Sequence, residues 1–361
     1  MIEIPKKWRE LSIKEKLDLP VSYFGFDKRK IEQIRAISNR KKKIFEAAKL
    51  QFDKYGDIHS FLTTWIAGYS SDVAPRQIFG SMRDLRKLFL TPQKISGVEF
   101  SWKDLQRGIK ISRKMTSELA EETGIHLGDG CISIYIDPKG YRSFRFSITG
   151  DLIDESIYHE NFILPLLKKL YNIDASILKR PEKNSIETKI NSKAIIQFKN
   201  ELLGLPIGDK KNAQIPSIIL KNNEFAKRCL VGIFDTDFHI TEVLSISGKL
   251  HSLKLAEQVH NILERNKIKH IYRVYKDYAR FYVSKKDSEF IVKKWQMHNQ
   301  KHLSKFEVFE KFNVFIPFSR TQERLDLLSG KISIKYLKNV CNKRRKLKNN
   351  TFPRGLEPRT P

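Results

Sequence analysis

The chain has 361 residues, 40% of them hydrophobic, enough for two or three domains with cores of their own. Its net charge of +27 works against a compact fold and points to a polyanionic partner, nucleic acid ahead of an anionic membrane surface. Cys131, Cys229 and Cys341 are too scattered for a metal motif or a disulfide framework, and neither a membrane-length apolar run nor a signal-peptide pattern is present, so a cytoplasmic protein without a membrane partner is expected.

Residues 1–114 read as a basic, mostly helical region with room for a helix-turn-helix, Pro75 opening its second helix. Residues 1–120 carry 25 Lys/Arg against 14 Asp/Glu. A helix entered through Ser112–Glu122 then gives way to strand patterns at Cys131–Asp137 and Tyr141–Thr149 around the turn Pro138-Lys139-Gly140. An amphipathic helix spans Asp151–Tyr171, a hairpin follows over Ser176–Lys179 and Ile186–Ile190, and Ser192 caps a further helix stopped by Gly204 and Pro206.

Residues 205–223 read as a linker, and a second long helix starts near Glu224. The same order then returns: a shorter strand pair over His239–Ser247, a helix over Lys249–Asn266, a hairpin over Lys269–Lys285, and a helix capped by Ser288. Asp237 follows Asp129 by 108 residues and Ser288 follows Ser192 by 96, so the chain holds two copies of one α-β-β-α-β-β-α unit, at 115–204 and 224–318. Residues 319–361 read as a basic C-terminal helix and tail, with 8 Lys/Arg against one acid after position 337.

The two long helices share an unusual pattern. Glu122-Thr123-Gly124-Ile125-His126-Leu127-Gly128-Asp129-Gly130 and Leu230-Val231-Gly232-Ile233-Phe234-Asp235-Thr236-Asp237-Phe238 each place small residues at i and i+4 and then an aspartate. A glycine inside a helix costs about 1 kcal/mol relative to alanine, so Gly124, Gly128, Gly232 and Thr236 need a reason, and close approach of another backbone supplies it. Two helices packed along that seam bring Asp129 and Asp237 together, and such a carboxylate pair repels itself unless a cation lies between.

These segments resemble the motifs of the LAGLIDADG (DOD-type) homing endonucleases in their single-chain, two-motif form, over about residues 115–318. The resemblance implies an α+β fold of two pseudo-symmetric αββαββα halves joined along the motif helices, with antiparallel strands forming a saddle over DNA. It implies that Asp129 and Asp237 hold Mg²⁺ with the carbonyls of Gly128 and Thr236. It implies catalytic lysines at Lys189 or Lys193 and at Lys285 or Lys286. Groove contacts would come from Tyr135, Lys139, Tyr141, Arg142, Arg145, Lys179, Arg180 and Lys183 in one half, and from Arg273, Lys276 and Arg280 in the other. The activity implied is hydrolysis of double-stranded DNA by a monomer associated with a prokaryotic nucleoid. An RNA maturase acting on intron RNA, or a decayed DNA-binding regulator, remains as the alternative. The second motif departs at Phe238, where the family has a glycine that frees the chain to leave the helix, and His126 reads as a packed or capping histidine rather than a catalytic one.

Overall fold

A computed structural model describes residues 98 and 100–351, apart from 113 and 137–141. The helix-turn-helix reading of the N-terminal region, Lys139, Tyr141 and the tail beyond Thr351 lie outside the described residues.

A short helix, Trp102–Arg107 (α1), precedes the first motif helix, Ser117–Asp129 (α2). Thr116 caps α2, its hydroxyl accepting from Leu119 N at 3.2 Å. Strands Gly130–Ile136 (β1) and Arg142–Asp151 (β2) lead to Leu152–Tyr158 (α3), which continues through a π-helical turn into Leu164–Tyr171 (α4). Ser176–Arg180 (β3), Ser185–Asn191 (β4) and Lys193–Gln197 (α5) complete the unit. The linker contains one helical turn, Ser217–Leu220 (α6), before the second motif helix, Asn223–Asp237 (α7). The second unit runs Phe238–Ile240 (β5), Ile246–Leu250 (β6), Leu253–Arg265 (α8), His270–Val274 (β7), Ala279–Val283 (β8) and Lys285–Phe290 (α9).

Both sheets are antiparallel and have one topology, β1-β2-β4-β3 and β5-β6-β8-β7, so the molecule is an α+β protein of two pseudo-symmetric halves. On the covered face of the first sheet Ile132, Phe146, Ile148 and Ile190 are buried against helices. The opposite face carries Cys131, Ser147 and Lys189 in one cross-strand row.

Two expected boundaries are corrected. Lys249 is not in a helix but in β6, paired with Arg280, because Ser252 caps α8 by accepting from Leu255 N at 3.2 Å. Ser288 is not a cap. Ser284 caps α9, accepting from Asp287 N at 3.1 Å, while the buried Ser288 hydroxyl accepts from Ile246 N at 2.8 Å and ties α9 to β6.

The halves meet along α2 and α7. A Cβ on Gly124 would stand 1.9 Å from the Cys229 carbonyl oxygen, one on Gly232 2.3 Å from that of Glu121, and one on Gly128 1.9 Å from Thr236 Oγ1. One apolar core, from Leu119 and Ile125 to Leu230 and Phe234, runs across this seam.

Beneath α2, Glu122 and Lys199 form a fully buried ion pair, and Glu122 Oε2 also accepts from Tyr171 Oη at 3.0 Å. Removing one partner of such a pair leaves an uncompensated charge. Lys199→Met is expected to lower stability by about 3–5 kcal/mol in urea unfolding, with the double variant E122Q/K199M recovering most of the loss. Equal loss in single and double variants would refute the pairing.

After the second unit, Gln300–Phe312 (α10), Thr321–Leu328 (α11) and Ile334–Thr351 (α12) follow. They build a small core of Val308, Ile316, Leu327, Leu337 and Cys341. Asp154 of α3 fastens α11 to the first half, accepting from Thr321 N at 2.6 Å and Thr321 Oγ1 at 2.9 Å. No helix among the described residues is long and apolar enough to cross a membrane.

Candidate functional site

Asp129 and Asp237 are the last residues of α2 and α7. Both following residues are in ordinary extended conformation, Gly130 at φ −81°, ψ 154° and Phe238 at φ −105°, ψ 169°. The exit at Phe238 therefore requires no glycine, contrary to the sequence expectation, whereas in the first half a Cβ on Gly130 would stand 2.5 Å from the His126 Cα and that exit does need its glycine. The Phe238 ring turns into the core, 4.7 Å from the Phe234 ring and 6.0 Å from Phe281. It lies across Gly248, its partner on β6, so the glycine that accommodates it sits on the facing strand.

The site is electrostatically lopsided. Burial pushes the Asp129 carboxyl up to about 7, with further contributions from the Glu155 and Asp237 charges. The Asp237 side chain reaches solvent, yet the surrounding protein still raises its pKa, opposed by Lys210 and His251. Glu155, itself buried, accepts from Asp151 N at 2.7 Å and Asn299 Nδ2 at 3.0 Å and pairs with Lys301 at 3.2 Å. A second carboxylate thus lies beside Asp129, while each aspartate has two cations acting on it, Lys210 and Lys301 on Asp129 and Lys210 and His251 on Asp237.

Lys210, from the linker, donates through Nζ to the Gly128 carbonyl and, at 3.2 Å, to that of Leu127. Its ammonium thus occupies the carbonyl oxygen that the resemblance would give to a metal, and it acts on both aspartates. The Thr236 hydroxyl donates to Gly232 O at 2.8 Å, one turn back along its own helix. The available donors are two carboxylates and two carbonyls, a hard all-oxygen set that suits Mg²⁺ or Ca²⁺ better than a soft metal. The crowding of negative charge around Asp129 is of the kind a divalent cation relieves. A cleft of 1060 Å³ opens beside Asp237, lined by Gly128, Lys210, Lys249, His251 and Lys276 among others.

The lysines expected to be catalytic are placed differently. Lys189 lies on the open face of the first sheet beside Ser147 and Ser176. The register puts Tyr282, beside Ser247, at the matching place in the second sheet, so that half has no lysine there. Lys193 sits 5.8 Å from the Phe144 ring and Lys285 4.4 Å from the Phe309 ring, while Lys286 is exposed in α9. The cations acting on the paired aspartates are Lys210, Lys301 and His251. The sequence marked Lys210 only as part of a charged linker and gave no signal for Glu155 or Lys301.

The expected groove residues divide by face. Tyr135 and Arg145 share the open face of the first sheet with Lys189, whereas Arg142, opposite Ile136, has the parity of the covered face at the sheet's exposed end. Lys179 also has the covered-face parity and pairs with Glu160 at 2.6 Å, which removes it from the open face. Arg145 and Arg180 both engage Glu187, the latter at 2.9 Å. Lys183 is exposed in the turn before β4 and Lys276 lines the cleft. In the second sheet Lys249, Arg280 and Arg273 are consecutive cross-strand neighbours, with no carboxylate partner among the described residues. Like charges set directly opposite one another destabilise a sheet, so such a row is suited to an anionic ligand.

His126 is fully buried and stacks on Phe146 at 5.1 Å. Burial, reinforced by Lys199 and Lys210, drives its pKa well down, so it is a neutral packing residue. Asp235, also fully buried, accepts from His298 N at 2.9 Å and Asn299 N at 3.1 Å and anchors the turn before α10.

Two matching halves, one helix seam and one carboxylate from each half define the class of architecture. No family description matches the sequence, and no curated protein does. Similar solved structures include mesophilic variants of the homing endonuclease I-DmoI, 16% identical with a TM-score of 0.39, over 49% of this chain and 93% of that one. I-DmoI in complex with DNA and Mn gives the same identity and TM-score over 49% and 94%. I-SmaMI bound to an uncleaved DNA target in the presence of calcium ions is 14% identical with a TM-score of 0.38, over 63% and 99%.

Proposed function

We propose that the chain is a site-specific endonuclease of the LAGLIDADG homing type, acting as a monomer on double-stranded DNA with Mg²⁺. The observation that carries this reading is the pairing of Asp129 and Asp237 at the ends of two helices in backbone contact. Asp129, Asp237 and the carbonyls of Gly128 and Thr236 would hold the metal, which supplies charge neutralisation at the phosphate and a more acidic water. Lys210 would hold the Gly128 carbonyl in place and yield it as the cation enters. Glu155, fixed by Asn299 and Lys301, would keep a proton acceptor beside Asp129. Lys189 would face the phosphate from the first sheet, a role with no counterpart at Tyr282.

The open strand faces would track the DNA backbone, with Lys249, Arg273 and Arg280 as the phosphate-binding row of the second half. Removing one cation that neutralises a phosphate lowers the slope of log K against log salt by about 1. Arg273→Ala and Arg280→Ala are each expected to flatten the slope by that amount, while Lys179→Ala leaves it unchanged. A K179A effect equal to R280A would refute this assignment of faces.

The direct test is incubation with a supercoiled plasmid carrying the uninterrupted sequence that flanks the chain's own gene, with Mg²⁺ or with EDTA. Mg²⁺-dependent linearisation supports the endonuclease. Its absence, together with tight binding of the intron RNA, would replace this reading with that of a maturase.

A further inference from the structure

A second group of metal-ligating side chains lies at the far edge of the second sheet, on β7, across the sheet from β5 and Asp237. His260 and Glu264 are one helical turn apart on α8, so they share a face. His270 opens β7 on the side of the sheet that α8 covers, as its pairing with Val283 and that of Tyr272 with Phe281 require. One potential ligand atom from each of the three lies within 4.8 Å of the others.

The details are those of a prepared site. His270 Nδ1 lies 2.8 Å from the Ile268 carbonyl and so donates to it, which fixes the tautomer and leaves the Nε2 lone pair for a ligand. Without metal that Nε2 accepts from His260 Nδ1 at 2.8 Å, a hydrogen bond whose proton a bound ion would displace. Two imidazole nitrogens at about 2.0–2.1 Å from one tetrahedral ion stand about 3.3 Å apart, so a shift of about half an ångström admits a metal between them. Both rings are held by stacking, His260 on Tyr272 at 4.5 Å and His270 on Phe281 at 6.4 Å. The Glu264 carboxylate lies 3.8 Å from His270 Nδ1 on a side chain that is 63% exposed, free to swing in as the third ligand and open to solvent as a route of entry. The other three-residue group, Glu121, Asp235 and His298, differs because its carboxylates are already engaged by Arg228, the His298 ring and backbone amides.

The geometry points to a transition-metal site at His260, Glu264 and His270, with Zn²⁺ as its ligand and water in the fourth position. Two imidazoles and one carboxylate select Zn²⁺ over Mg²⁺, so this site and the paired aspartates take different ions from one solution. The bound ion would clip α8 to the edge strand β7 and stabilise the second half.

The test is zinc titration by calorimetry of the tag-free, full-length chain, stripped of metal and then supplied with excess Mg²⁺. One Zn²⁺ per chain is expected, together with a rise in unfolding temperature and visible absorption of tetrahedral type on Co²⁺ substitution. H260Q and E264Q, at partly exposed positions, are expected to keep the fold by circular dichroism and to weaken zinc binding on the order of 10–100-fold or more. D129N is expected to leave it unchanged. Absence of zinc binding, survival of full affinity in H260Q, or its loss in D129N would each overturn the assignment. None of these outcomes depends on DNA cleavage.

Discussion

Replacing Asp129 with asparagine is expected to abolish linearisation of target plasmid, slowing cleavage on the order of 10³-fold or more, with DNA binding retained. Asparagine keeps the shape of the side chain and removes its charge, so the loss isolates the role of the carboxylate. The same substitution has an opposite effect on stability. Burial and its neighbours hold the Asp129 carboxyl at about 7, against an ordinary 3.8. A raised carboxyl leaves the fold unpenalised below its unfolded value and costs stability as pH rises through the folded one. Without divalent ions, D129N should therefore melt above the parent at pH 8, with the gap narrowing toward pH 5 and gone near pH 4. Mg²⁺ should narrow it from the other side by stabilising only the parent. A metal-free D129N that melts below the parent at pH 8 would show that the charge is compensated within the protein.

Gly124→Ala should destabilise the chain by roughly 3 kcal/mol or more, read as a lower urea midpoint at unchanged slope. Helix propensity alone has the opposite sign, favouring alanine by about 1 kcal/mol. Packing wins because the new methyl would sit 1.9 Å from the Cys229 carbonyl oxygen, a backbone atom that cannot yield unless the helices part. Parting them also separates Asp129 from Asp237, so cleavage should fall with stability. A G124A protein as stable as the parent would mean that α2 and α7 do not touch.

Much of the architecture was written locally. Alternation along residues 131–136 and 142–149, the cap at Ser192, and the small residues of the motif helices each report on neighbours within a turn or a strand. Where local cues misled, a competing local group had prevailed. Ser284 took the cap expected of Ser288, and strand pairing with Arg280 claimed Lys249. Phe238 was legible as a departure, but its harmlessness to the backbone depended on Gly248, ten positions away and opposite it only through the β5–β6 register.

The sequence by itself determined the two-fold repeat, the helix seam and the two aspartates at its end, because periodicity and glycine placement are properties of neighbouring residues. Only the tertiary structure decided which charges act on those aspartates. Glu155 arrives from α3, Lys210 from the linker and Lys301 from α10, and the cationic row of Lys249, Arg280 and Arg273 exists only through strand register. Electrostatic interaction depends on distance in space, which no spacing along the chain records.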